Sequence, residues 1–268
     1  MAILQENNTL EVSAKFLPNV SFKGGVWKIN AQDMPYKDLN ALLREIDAKG
    51  TSKIEINNVY GQRYIGTGLK NKVKIDIFGT PGNDLAAFMD GPHIEVHGNA
   101  QDCSGNTMND GEIVIHGRAG DITGYGMRGG KMFIRDDVGY RVGIHMKEYV
   151  NNKPFMVVGG TGQDFLGEYM AGGILIVLGL NLKKGEGHKA RYVGTGMHAG
   201  TIYVRGEIGN IGKEVKVMEV TEADLEQIGG LVKEYCSHFD ADFDMIMSGK
   251  FVKIVPYSHR PYGRVYAY

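Results

Sequence analysis

GYGMRGG, residues 124–130, sets four glycines around a single methionine. Such a run either cradles a phosphate or turns a tight corner in the backbone. The flanking sequence favours the corner. A phosphate loop follows a strand and opens a helix, so that helix N–H groups face the anion. Here the run leads into another short strand, KMFIRD, and closely related runs recur along the chain. Met89, Met108, Met127 and Met146 are 19 residues apart, and Met170 and Met197 follow after 24 and 27. Leu69 holds the same place one unit earlier. Three residues before these stand Gly66, Gly105, Gly124, Gly143, Gly167 and Gly194, with Ala86 as the exception. Glycine is 39 of 268 residues, about twice the usual share of roughly 7%.

Each unit carries a strand of one design: IEI, KIDIFG, HIEVHG, EIVIHG, KMFIRD, FMVVGG, ILIVLG and TIYVRG. Alternate positions form two apolar columns. The first reads Ile75, Ile94, Ile113, Met132, Phe155, Leu175 and Ile202; the second reads Ile77, Val96, Ile115, Ile134, Val157, Val177 and Val204. With period 2, both columns face one interior. A strand of about five residues in every repeat of this length specifies a solenoid. The fold class expected is all-β, a right-handed single-stranded parallel β-helix, since parallel crossovers are right-handed in about 98% of cases. Eight coils stacked at roughly 4.8 Å make a column about 35 to 40 Å long. The corner glycines turn the coil where a Cβ is unwelcome, and each methionine fills the interior.

The outward strand column reads Asp76, Glu95, Val114, Phe133, Met156, Ile176 and Tyr203, charged at first and then apolar. An apolar strip of that size is rarely left bare on a monomer, so either the C-terminal helix lies on it or another protein does. That makes Val114, Phe133, Met156, Ile176 and Tyr203 candidate interface residues. Arg260 and Arg264, in the arginine- and tyrosine-rich tail SHRPYGRVYAY, join them.

The ends do not repeat. Residues 1–53 form an expected N-terminal strand and helix cap, residues 54–212 the β-helix, and residues 213–268 a C-terminal helix, strand and tail. PYKDLNALLREIDAKG places Leu39, Leu42, Leu43 and Ile46 on one helical face, with Asp33 as cap and Gly50 beyond the end. This helix is expected to cover the open end of the column. TEADLEQIGGLVKEY opens on a Thr221–Asp224 capping box and repeats Leu225, Ile228, Val232 and Tyr235 at helical spacing; FVKIVPY reads as a strand.

A net charge of −1 provides no electrostatic reason to expect nucleic acid or an anionic membrane as partner. The N-terminus lacks the pattern of a signal peptide, and the longest apolar run, GGILIVLGL, is too short to span a bilayer. Cys103 and Cys236 have neither metal nor disulfide-framework spacing, which fits a reducing cytoplasm. His97 and His116 occupy one outward repeat position, with Arg135 next. Two imidazoles suggest a metal, but no third ligand is evident, and no metal site is assigned. Asp102, Asp121 and Asp164 share a register that could serve a carbohydrate-cleaving β-helix enzyme, yet Asp is also a common corner residue. Cys103 beside them lacks an adjacent histidine to activate it. No catalytic residue is assigned.

The units CSGNTMNDG, GYGMRGG, GEYMAGG and GTGMHAG resemble the GXGXG domain at the C-terminal end of the glutamate synthase large subunit. One of the subunits of formylmethanofuran dehydrogenase shares the motif. GQRYIGTGLKNKVKIDIFGTPGNDLAAFMDG and the N-terminal segment look closest to stand-alone chains of split glutamate synthases. The resemblance implies a β-helix without catalytic or cofactor-binding residues of its own. It packs against an FMN-binding synthase chain that also holds an iron–sulfur cluster, and against a glutamine amidotransferase chain. The function expected is therefore a non-catalytic assembly subunit of a glutamate synthase-like complex in the cytoplasm. The alternatives are a formylmethanofuran dehydrogenase-type complex and an autonomous carbohydrate-active enzyme. Self-association stays open.

Overall fold

The computed structural model describes residues 12–258; Arg260 and Arg264 lie outside them. The repeat produces a parallel β-solenoid. Its sheet begins with β1 (Val20–Lys23) and β2 (Val26–Asn30), an antiparallel hairpin. β2 then pairs in parallel with β3 (Lys53–Tyr60). From there β4 (Lys74–Thr80), β5 (Asp90–His97), β6 (Asp110–Ile115), β7 (Lys131–Ile134), β8 (Phe155–Val158), β9 (Ala171–Val177) and β10 (Ala199–Arg205) each pair in parallel with the strand before. At the far end β11 (Val215–Met218) and β12 (Phe251–Pro256) close the order antiparallel, with β12 between β10 and β11. The sheet therefore runs across both expected boundaries, at 53 and at 212. The contribution of VWKIN at 26–30 escapes the repeat because no Gly–Met corner follows it.

Register is set by the buried columns. Ile54, Ile75, Ile94, Ile113 and Met132 stand opposite one another from strand to strand, as do Ile56, Ile77, Val96, Ile115 and Ile134, and all are 0% exposed. Corner residues complete the interior. Met89, Met108, Met127, Met146, Met170 and Met197 are all fully buried, so the repeated methionine is a core filler.

One coil departs from the expected columns. β8 pairs Met156 with Met132 and Leu175, and Val157 with Phe133 and Ile176. Met156 and Val158 therefore face inward, and Val157 and the partly buried Phe155 face outward. A one-residue slip exchanges every side chain between faces. The strand FMVV is apolar throughout, so alternation cannot place it. The glycine of its GG pair that matches Gly117 is Gly160, which puts Val158 where Ile115 stands.

Helix α1 (Tyr36–Asp47) seats Leu39, Leu42, Leu43 and Ile46 on the first coils, all at most 1% exposed. Its N-cap is Pro35 without a side-chain cap, and Asp33 instead takes a left-handed turn at φ +57°. At the other end, α2 (Glu222–Phe239) and the short α3 (Phe243–Met247) lie on the outer face of the sheet. The Thr221–Asp224 capping box forms as expected. Ile228, Leu231, Val232 and Tyr235 are buried, while Leu225 is exposed.

Candidate functional site

The corners follow from two overlapping turns. Tyr125 N–H donates to Ile122 O and Met127 N–H to Gly124 O, both at 3.1 Å. The third residue of each turn, Gly124 (φ +74°) and Gly126 (φ +58°), is left-handed, the pattern of a type II turn. Gly66, Gly105, Gly124, Gly143, Gly167 and Gly194 all have φ between +63° and +75°. At Gly124 the space is closed as well, because a Cβ would run into Cε of Met156. The N–H groups of residues 124–128 are committed to the solenoid rather than open to an anion. Those of Gly124, Gly126 and Arg128 donate to Ser104, Ile144 and Met108 carbonyls on neighbouring coils, and those of Tyr125 and Met127 close the turns.

The stacked aspartates serve the same ladder. Oδ1 of Asp102 accepts from the Asp121 N–H, Oδ1 of Asp121 from the Tyr140 N–H, and Oδ1 of Asp164 from the Arg191 N–H, each at 2.9 Å. Cys103 sits left-handed at φ +60°. Burial and the charges of Asp84, Asp102 and Asp121 push its thiol pKa up, against nucleophilic use.

What the corners present outward is aromatic. His145 stacks on Tyr169 at 5.3 Å and meets Tyr125 edge-on at 5.9 Å. Alongside, Phe165 stacks on Tyr192 at 5.0 Å and carries the Arg141 guanidinium at 4.6 Å. Arg141 also pairs with the buried carboxylate of Glu168. Tyr125, Tyr140, Tyr169 and Tyr192 are each more than a third exposed. Rigid aromatics interleaved with arginine are what protein interfaces enrich. The sequence reading missed this edge because the tyrosines fall at different offsets from the corner glycine.

The expected interface on the sheet face is occupied by the chain itself. Val114, Phe133, Ile176 and Tyr203 are at most 1% exposed and pack with Val157 against Ile228, Leu231, Val232 and Tyr235 of α2. Met156 lies inside the solenoid. None of the five is available to a partner. The helix is held by polar contacts at both ends. Asp224 accepts from Tyr203 Oη at 2.5 Å, from Lys253 Nζ at 2.7 Å and from Thr221 Oγ1 at 2.7 Å. Burial disfavours its carboxylate, yet these donors hold its pKa well below the usual range. Further along, Lys131 pairs with Glu234, and Tyr235 Oη donates to Arg135 O at 3.1 Å.

With this geometry, the sequence matches the GXGXG motif family over residues 41–257. The chain belongs to the GXGXG motif family. An uncharacterised protein of Methanocaldococcus jannaschii is 51% identical over 89% of this chain and 95% of its own length. The ferredoxin-dependent glutamate synthase of Pyropia yezoensis is 32% identical over 68% of this chain, which spans only 12% of that enzyme. This GXGXG chain is thus similar to one segment of a glutamate synthase. Two cysteines on separate elements do not match the four thiolates of an iron–sulfur cluster. Among the described residues, no helix is long and apolar enough to cross a membrane.

Proposed function

We propose that this chain is an assembly subunit of a glutamate synthase-like complex, holding catalytic partners in place. The reading is supported by membership in the GXGXG family and by the likeness to a segment of a ferredoxin-dependent glutamate synthase. The observation that carries it is the corner edge. Turn N–H groups, corner aspartates and interior side chains are consumed by the solenoid, whereas Tyr125, Tyr140, Tyr169 and Tyr192 stay exposed beside Arg141. An FMN-binding synthase chain, carrying an iron–sulfur cluster, and a glutamine amidotransferase chain are the proposed partners, in the cytoplasm. The test is affinity purification of the tagged chain at native abundance. The expected result is retention of both partner chains by the wild type and their loss from a Tyr169→Ala/Tyr192→Ala variant that still folds. Recovery of neither chain with the wild type would overturn the proposal. Recovery of molybdopterin- or tungsten-binding chains instead would move the protein to a formylmethanofuran dehydrogenase-type complex.

A further inference from the structure

Beside the C-terminal end of α2, the sheet's outer face carries a half-buried cluster of a different kind. On β5, Glu95 and His97 are two residues apart and so project from the same side. His116, directly after β6, occupies the position beside His97 one coil along, and the two imidazoles stack at 5.3 Å. Donor atoms of Glu95, His97 and His116 all lie within 4.8 Å of one another. His116 Nε2 is 2.9 Å from Glu95 Oε1, and His97 Nε2 is 3.3 Å from Oδ1 of Asp76, a second carboxylate one strand over.

We propose that Glu95, His97 and His116 form a binding site for a borderline divalent transition metal, zinc being the best fit. Two imidazoles and one carboxylate are a ligand set zinc accepts, and three protein ligands leave a position open for water. Metal–nitrogen bonds of about 2.0 to 2.1 Å draw donors to roughly 3.3 Å apart in a tetrahedron. The His97 ring must therefore swing inward by up to about 1.5 Å, and its side chain is exposed enough to do so. The surroundings orient the ligands. Phe78 stacks on His97 at 4.4 Å, and Phe239, at the end of α2, meets His116 edge-on at 5.1 Å. His93 stands 3.7 Å from Glu95 and 2.9 Å from Glu112, backing the carboxylate. The cation competing for the site is Lys74, 2.7 Å from Glu95 Oε2. Its side chain is 44% exposed, so a metal displaces it into water without burying an unpaired charge.

The experiment uses the untagged full chain, stripped with chelator, titrated with Zn²⁺ by calorimetry and with Co²⁺ by visible absorption. Expected are one equivalent of saturable micromolar binding and Co²⁺ bands of a low-coordinate site. His97→Phe keeps the stacked ring and deletes the nitrogen; it should weaken binding about tenfold or more, as should Glu95→Gln. Lys74→Met should tighten binding several-fold by removing the competitor, a gain that adventitious surface binding would not show. A Cys103→Ser/Cys236→Ser variant should bind like wild type. The proposal is overturned if wild type binds no metal saturably, or if folded His97→Phe and His116→Phe bind with unchanged affinity and stoichiometry.

Discussion

Gly124→Ala and Gly124→Val separate the two demands placed on a corner. The residue sits at φ +74°, and its missing Cβ faces Cε of Met156 inside the solenoid. Left-handed backbone costs an ordinary residue about 1 to 2 kcal/mol. Gly68 provides the control, since it has φ +68° and open space around it, so Gly68→Ala should cost that strain alone. Ala86, at φ +57° in the equivalent position of its own coil, shows that the backbone accepts a methyl there. Gly124→Ala adds the displacement of the flexible tip of Met156, roughly 1 kcal/mol more. Gly124→Val adds β-branching and overpacking of about 1 to 3 kcal/mol, for a total of about 3 to 6 kcal/mol. Urea unfolding of the full chain measures the totals. Amide exchange at residues 124–128, whose N–H groups bond the adjacent coils and close the turns, tests whether the damage is local. Pairing Gly124→Ala with Met156→Val, which shortens the opposing side chain, should yield a double variant less destabilised than the sum. The reasoning fails if Gly124→Val unfolds within about 0.5 kcal/mol of wild type, half the smallest cost of placing a side chain on left-handed backbone. It fails equally if Gly124→Ala costs no more than Gly68→Ala and shows no coupling to Met156.

Phe133→Ala, beneath α2, should cost about 3 to 5 kcal/mol and speed amide exchange throughout residues 222–239, with new binding of a hydrophobic dye; unchanged exchange would mean that α2 is held by its polar contacts alone. Acidification should loosen the same helix. Because the folded pKa of Asp224 is depressed, its stabilisation is present above the unfolded value of about 3.9 and is lost as pH falls below it. Asp224→Asn should lower stability at pH 7 and flatten that acid dependence, read as the unfolding midpoint across pH. Cys103, its pKa raised, should react with a thiol reagent at pH 7 more slowly than an unfolded-chain cysteine; faster modification would show an activated thiol. Asp102→Ala should lose about 1 to 2 kcal/mol by orphaning the Asp121 N–H, whereas Asp102→Asn, which keeps an acceptor oxygen, should lose less. Urea midpoints of the two variants compare them.

The solenoid was legible from residue order because its contacts repeat. When Ile75, Ile94 and Ile113 must stack, identical residues at identical offsets announce the register, and the corner glycines mark each turn. The same signal fails where alternation is missing, as in Phe155–Val158, and where the corner is missing, as in Val26–Asn30. The candidate sites were less legible. That His97 and His116 are neighbours follows from the repeat, but the third donor, Glu95, belongs to the outward column and joins them only through side-chain reach across strands. The fate of the apolar strip depended on contacts about a hundred residues apart, such as Tyr235 to Arg135 and Lys131 to Glu234. An amphipathic stripe states that a helix must be buried without naming the surface that buries it. By itself, the sequence determined the coil, its interior and its corners, because those are local and periodic. Only the tertiary structure decided which part of the outer face was closed by α2 and which kept its half-buried carboxylates and imidazoles beside the helix end. That choice rests on a single long-range packing event that no repeat encodes.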